Sequence, residues 1–140
     1  MIADALRDVL KVDATLLSEL STYDFGDGAE IAIFTVYPFP ENVTYPAVAI
    51  TLAGGNEWGT RGKRGWVQNV DVQVFRDREY SSEDLRDIAE RIKVVLDRSS
   101  PSLAGHQELG THVVGPPTET TDERGFPGYR LDVTVRYLEV

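Results

Sequence analysis

The sequence predicts an α+β fold: a mainly antiparallel sheet of about four to five strands, with an amphipathic helix (Ser81–Arg98) and an N-terminal helical segment packed on it. Three observations predict it. Val70-Asp71-Val72-Gln73-Val74 and Leu131-Asp132-Val133-Thr134-Val135-Arg136-Tyr137 alternate with the period of two that a half-buried strand requires. Between them, Leu85, Ile88, Ala89, Ile92, Val95 and Leu96 recur at helical spacing. At 140 residues the chain fits one domain, 1–140, able to bury roughly two-thirds of its unfolded surface.

Taken in order, Ile2, Ala5, Leu6, Val9 and Leu10 form a helical stripe that ends near Lys11. Asp13 is a poor core residue but a good N-cap, so a short second helix carrying Leu16, Leu17 and Leu20 follows, or else one continuous helix with a polar notch. Ser21 to Glu30 reads as loop, through Asp24, Gly26, Asp27 and Gly28. Ile31 to Val36 is a short strand, and Pro38, Pro40 and Pro46 bar residues 37–46 from a central strand. Ala47 to Leu52 is almost unbroken in apolar character, which implies burial on both faces.

Gly54 to Gly65 (GGNEWGTRGKRG) reads as an oversized hairpin loop before a strand over Trp66–Arg76. Ser81 caps the following helix, Glu83 and Asp84 suit its N-terminal dipole, Arg98 suits the other end, and Pro101 ends it. Asp87 and Arg91 stand at i,i+4 on its polar face. His106–Val114 reads as a strand, Pro116–Gly128 as a second oversized hairpin loop, and Tyr129–Leu138 as the last strand.

Composition narrows the function. The balance of 14 basic to 23 acidic residues gives a net charge of −9, which opposes binding driven by release of phosphate counterions. No cysteine is present, so disulfides, thiolate metal sites and thiol nucleophiles are excluded. No apolar run approaches the roughly 20 residues of a membrane helix. The first eight residues carry acid where a secretory signal carries base, so the chain is expected to remain in the compartment where it is made.

No catalytic motif emerges. Around Gly62-Lys63 a P-loop would need Gly at position 57 and Ser or Thr at 64, where Glu57 and Arg64 stand. Arg61, Lys63 and Arg64 are the one concentrated basic cluster, read either as a solvated loop tip or as a docking point for an acidic surface. His106 and His112 fall on the same face of one strand but about 20 Å apart, too far to share a metal. No G-x-S-x-G elbow occurs, and Asp122-Glu123 lies in a turn-rich loop. Tyr37, Phe39, Tyr45, Trp58 and Phe126 fall outside the regular elements, either tucked over the chain's own core or available to a partner, with Trp58 the stronger interface candidate.

The order of these pieces resembles the tail terminator, or tail-completion, proteins of long-tailed bacteriophages. The matching parts are the helical Ala3–Leu20, the Pro-rich stretch ending Tyr45-Pro46-Ala47-Val48-Ala49-Ile50, the strand Val70-Asp71-Val72-Gln73-Val74-Phe75 leading into Ser82-Glu83-Asp84-Leu85-Arg86-Asp87-Ile88-Ala89, and the terminal Tyr129–Tyr137. The resemblance spans nearly the whole chain, with two loops longer than the family core requires. It implies no catalytic residue, cofactor or metal. It implies a homo-oligomer, a hexameric ring, that caps the tail tube, ends its polymerisation and joins it to the head. The partners implied are the major tail tube protein and a head–tail connector, with DNA passing through the lumen without specific binding and no membrane involved. The implied location is the head-proximal end of the virion's tail, after assembly in the host cytoplasm.

The two long loops supply the candidate interface: Trp58, Arg61, Lys63, Arg64, Glu119, Asp122, Glu123, Arg124 and Phe126. Two other readings stay open. One is a head-side connector (stopper or adaptor); the other is a small α+β module holding an anionic ligand through Arg61, Lys63 and Arg64.

Overall fold

The computed structural model describes residues 2–26, 28–60, 63–77, 82–97, 99, 101, 105–121 and 124–139, giving backbone alone for 56–60, 63, 82, 83, 108, 109 and 139. Its elements are α1 (Ile2–Leu10), α2 (Ala14–Glu19), β1 (Thr22–Asp24), β2 (Ala29–Ile31), β3 (Ile33–Phe34), β4 (Ala47–Thr60), β5 (Lys63–Phe75), α3 (Ser82–Leu96), β6 (His106–Thr121) and β7 (Pro127–Glu139). Five strands form one sheet in the order β3-β4-β5-β7-β6, antiparallel except for the short parallel pair β3–β4. The expected α+β class is what the structure shows.

All three helices cover one face. Val48 and Ile50 of β4, Val70, Val72 and Val74 of β5, and Leu131, Val133 and Val135 of β7 point toward Leu85, Ile88, Ile92 and Leu96 of α3 and Leu6 and Leu10 of α1. The helical stripe and the alternating runs therefore meet as the two sides of a single core, the arrangement that lets a one-sided sheet bury its apolar face. Leu17 is the exception on α2, half exposed at 51%.

A second, smaller core explains why Ala47 to Ile50 is apolar at every position. Ala47, Ala49 and Phe75 face away from the helices and are capped by Phe34, Phe39 and Val43, with Tyr23, Tyr37 and Tyr45 against them. The proline-rich segment 35–46, which includes cis bonds before Pro38 and Pro46, lays these rings over the sheet. The four loop aromatics Tyr37, Phe39, Tyr45 and Phe126 thus pack on the chain itself: Tyr37 stacks on Phe75 at 5.8 Å and Phe126 meets Tyr45 edge-on at 5.1 Å.

Several expectations are corrected. The Gly54–Gly65 loop is strand: β4 and β5 stay paired to Thr60↔Lys63, so only two residues intervene. The register absorbs one extra residue between Leu52 and Gly54, where Gly54 takes φ 133, a conformation a side chain disfavours. Glycines that look like loop signals here serve a bulge and a close approach, since a Cβ on Gly55 would lie 2.6 Å from the Val67 carbonyl oxygen. The Pro116–Gly128 loop is also largely strand, with β6 running to Thr121 through a bulge between Val114 and Thr118 that holds Pro116 and Pro117. The expected Ile31–Val36 strand breaks at Ala32 and ends at Phe34, and the expected Ser21–Glu30 loop holds the hairpin β1–β2. Leu52 is not doubly buried but half exposed at 54%. The proposed cap Ser81 and terminal Arg98 lie outside the described residues.

Candidate functional site

Of the nine candidate interface residues, the described ones do not form one site. Strand register places them at opposite ends of the sheet, because β4 and β5 meet at Thr60↔Lys63 while β6 and β7 meet at Thr121↔Pro127. From Arg64 to Phe75, which pairs with Gly128, there are eleven strand steps, or about 35 Å. The upper end is an arm whose last pairs, Gly59↔Arg64 and Thr60↔Lys63, stand beyond the reach of β7, which starts pairing with β5 at Gly65↔Leu138. Arg64 is exposed there. By its backbone Lys63 lies there, opposite Thr60, while Trp58 pairs with Gly65 where β7 already flanks β5; Arg61 lies outside the described residues.

At the lower end, Glu119 pairs with Tyr129, and an open cavity of about 400 Å³ is lined by Glu119, Arg76, Leu85 and Tyr129 among others. Arg124 is exposed in the β6–β7 turn, Phe126 is half buried against Tyr45, and Asp122 and Glu123 lie outside the described residues. The sequence grouped these residues with the arm because both loops looked long; antiparallel topology separates them.

A feature that sequence reasoning missed lies beside β3. An open groove of about 410 Å³ is lined by Asp4 and Arg7 of α1, Tyr23, Asp24, Phe25 and Glu30 of the β1–β2 hairpin, and Phe34, Val36 and Pro40 beyond it. Arg7 organises it: its Nε donates to the Ile33 carbonyl oxygen at 2.8 Å, its Nη2 donates to Glu30 Oε2 at 3.0 Å, and its guanidinium lies 5.0 Å from the Phe25 ring centre. Phe25 in turn packs 5.0 Å from both Tyr23 and Phe34. Phe25 and Val36 remain 41% and 61% exposed. The groove thus carries three carboxylates to one guanidinium, and that cation is already engaged. Its parts come from a helix, a turn and a strand end, and no local pattern links them.

Two polar arrangements act on stability, in opposite directions, rather than build chemistry. Asp13 caps α2 by accepting from the Leu16 N–H at 3.1 Å, and both of its oxygens receive the Arg91 guanidinium, at 2.6 and 3.1 Å. Arg91 therefore reaches across to α2 rather than to Asp87, its expected helical partner, since Asp13 offers a hydrogen-bonded, mostly buried carboxylate in place of a solvated one. The Arg91 hydrogen bond outweighs the effect of burial and holds the Asp13 carboxyl below its ordinary range. On the sheet face away from the helices, Asp71 stands directly across from Asp132; burial, then the neighbouring Asp132 charge, push its pKa up against the pull of Arg130.

The histidines also part company. His106 pairs with Glu139 and His112 with Thr134, and the bulge between Glu108 and Gly110 turns them to opposite faces. His106 joins Trp66 and Tyr137 in an aromatic cluster with ring separations of 5.3–5.4 Å, while His112 sits 3.4 Å from Asp97. Among the described residues, no group of three or more His, Cys, Asp or Glu is placed to hold a metal ion. No helix among them is long and apolar enough to cross a membrane.

No protein-family model matches the chain, and no curated protein does. Among solved structures, it is similar to a chain of the structure described as "Virion of native gene transfer agent (GTA) particle". The TM-score is 0.70 at 17% identity, covering 98% of this chain and 94% of that one. At that identity, the likeness establishes a shared fold over essentially the full length of both.

Proposed function

We propose that this protein is a structural component of a phage-type virion, acting as a tail terminator: a ring that caps the tail tube, stops its growth and receives the head connector. The observation that carries the reading is the end-to-end fold match to a chain of a gene transfer agent virion. A shared fold alone does not assign a role, so the surfaces must support it too. A ring needs two different, complementary patches on each subunit, and this chain offers a basic arm at one end of its sheet and acidic, partly apolar surface elsewhere. The net charge of −9 lets DNA pass a ring's lumen without adhering. Such a ring would contact the tail tube protein on one side and the connector on the other, at the tail's head-proximal end.

Negative-stain imaging of the concentrated protein, with and without tail tubes, tests this. Rings, or tubes blunted at one end, are expected; monomers under every condition would end the reading. A head-side connector shares the fold-based support, and pull-down of portal rather than tube protein would favour it.

A further inference from the structure

We infer that the upper half of β4 pairs with the upper half of β6 from a second copy of this chain, continuing the sheet from subunit to subunit. The inference rests on the ring reading and specifies its subunit contact. The sheet has two outer strands with long edges. β3 covers β4 only at Val48 and Ala49, so from Ile50 to Thr60 the described residues place no strand beside it. The Val48 N–H donates to the Ala32 carbonyl oxygen on that side at 2.9 Å, and strand alternation turns the Leu52 N–H the same way, past the end of β3. An edge without proline or charge to blunt it is a template for another strand.

The opposite edge matches it in height, length and charge. Register runs in rows across the sheet, from Leu52 through Val70 and Val133 to Val113, and from Trp58 through Gly65 and Leu138 to Gln107. Between those rows each outer strand carries one residue more than the strands inside, through the shifts at Leu52/Gly54 and Glu108/Gly110. The two stretches, Leu52–Trp58 and Gln107–Val113, are therefore equally long. Below them both edges close: β3 covers β4, while Pro116 and Pro117 interrupt β6 and the Val113 N–H is taken by Asp97 Oδ1 at 3.1 Å. Leu52–Asn56 and Leu109–Val113 contain no Asp, Glu, Lys or Arg, so two copies of a chain at net charge −9 meet there without like-charge contact.

Direction decides which edge meets which. β4 and β7 run one way and β5 and β6 the other, so a neighbour rotated about an axis along the strands sets its β6 antiparallel to β4. Joining two different edges is head-to-tail association, which closes into a ring when the rotation allows.

The test exploits the absence of native cysteine. Ala53 is exposed and adjoins Gly54, whose row ends at exposed His112. A chain carrying Ala53→Cys and His112→Cys, treated with a short bismaleimide under assembling conditions, is expected to give covalent multimers that stop at one size. Either single variant is expected to give none. In parallel, Leu52→Pro removes the outward N–H and should weaken self-association by about tenfold or more in sedimentation, whereas Leu52→Ala, which keeps it, should assemble like the parent. Circular dichroism checks that both monomers fold; should Leu52→Pro not fold, the cross-linked ladder alone decides. Rings without a ladder, rings from folded Leu52→Pro, or dimers from Ala53→Cys alone would overturn the edge pairing and leave the ring reading standing. If the parent chain forms no assembly, with or without tubes, the ring reading fails and this contact with it.

Discussion

Asp13 combines two stabilising roles whose separation is measurable. As a cap it satisfies the Leu16 N–H, and as an anion it pairs with Arg91 from α3. Its carboxyl sits below the ordinary value of 3.8 in the folded chain, so its stabilisation is present above that value and is lost as pH falls through the lower folded one. Asp13→Asn, which keeps an acceptor but not the charge, should lower stability at neutral pH and flatten the acid limb in denaturant titrations. Asp13→Ala should cost about 0.5–2 kcal/mol more, the range for a lost cap; an unchanged acid limb in both variants would contradict the assignment. Asp71 runs the other way. Its carboxyl titrates above the ordinary range when folded, so its charged form opposes folding at neutral pH and that opposition fades as pH falls. Asp71→Asn is therefore expected to raise the melting temperature at pH 7, with the gain shrinking in acid.

Among the elements, α3 carries the largest share of the main core. Ile92 is fully buried at its centre, between the sheet and α1. Ile92→Ala should cost about 2–5 kcal/mol through the cavity it leaves, measured by chemical denaturation; a change under about 0.5 kcal/mol, typical of surface sites, would place the helix face wrongly. The close pairing at the lower end makes a separate prediction. A Cβ on Gly128 would come within 2.5 Å of the Phe75 ring and of the Val74 carbonyl oxygen. Because one of those neighbours is backbone, Gly128→Ala should destabilise by about 1–3 kcal/mol, as overpacking does. A neutral result would mean that β5 and β7 can separate there without cost.

For the whole molecule, separation of charge matters more than its total. Three of the chain's 14 basic residues, Arg61, Lys63 and Arg64, fall within four positions of a chain whose net charge is −9, a local concentration that suits docking on an acidic surface. Assembly should accordingly weaken as ionic strength rises from 0.05 to about 0.5 M, since the Debye length shortens to a few ångströms. Trp58→Ala should leave monomer stability within about 0.5 kcal/mol while reducing ring formation in electron micrographs. A large loss of monomer stability would show instead that Trp58 packs on its own subunit.

What the sequence determined by itself was the part encoded in local periodicity. The amphipathic stripe of α3, the alternation of β5 and β7, the Asp13 cap and the doubly buried Ala47–Ile50 follow from neighbouring residues whose spacing matches one element's repeat. The hairpins were misread because glycine and proline mark loops in a local reading, yet here they serve bulges and close backbone approach that exist only once a partner strand is in place. Tertiary structure alone decided which residues share a surface. Arg91 turned from Asp87 to Asp13, the described candidate residues split between two ends of the sheet, and the groove beside β3 arose from three segments that no repeat connects. The physical reason is that periodicity encodes which side of an element is apolar, whereas contacts between elements depend on strand order and register, which are set by the packing of the whole chain.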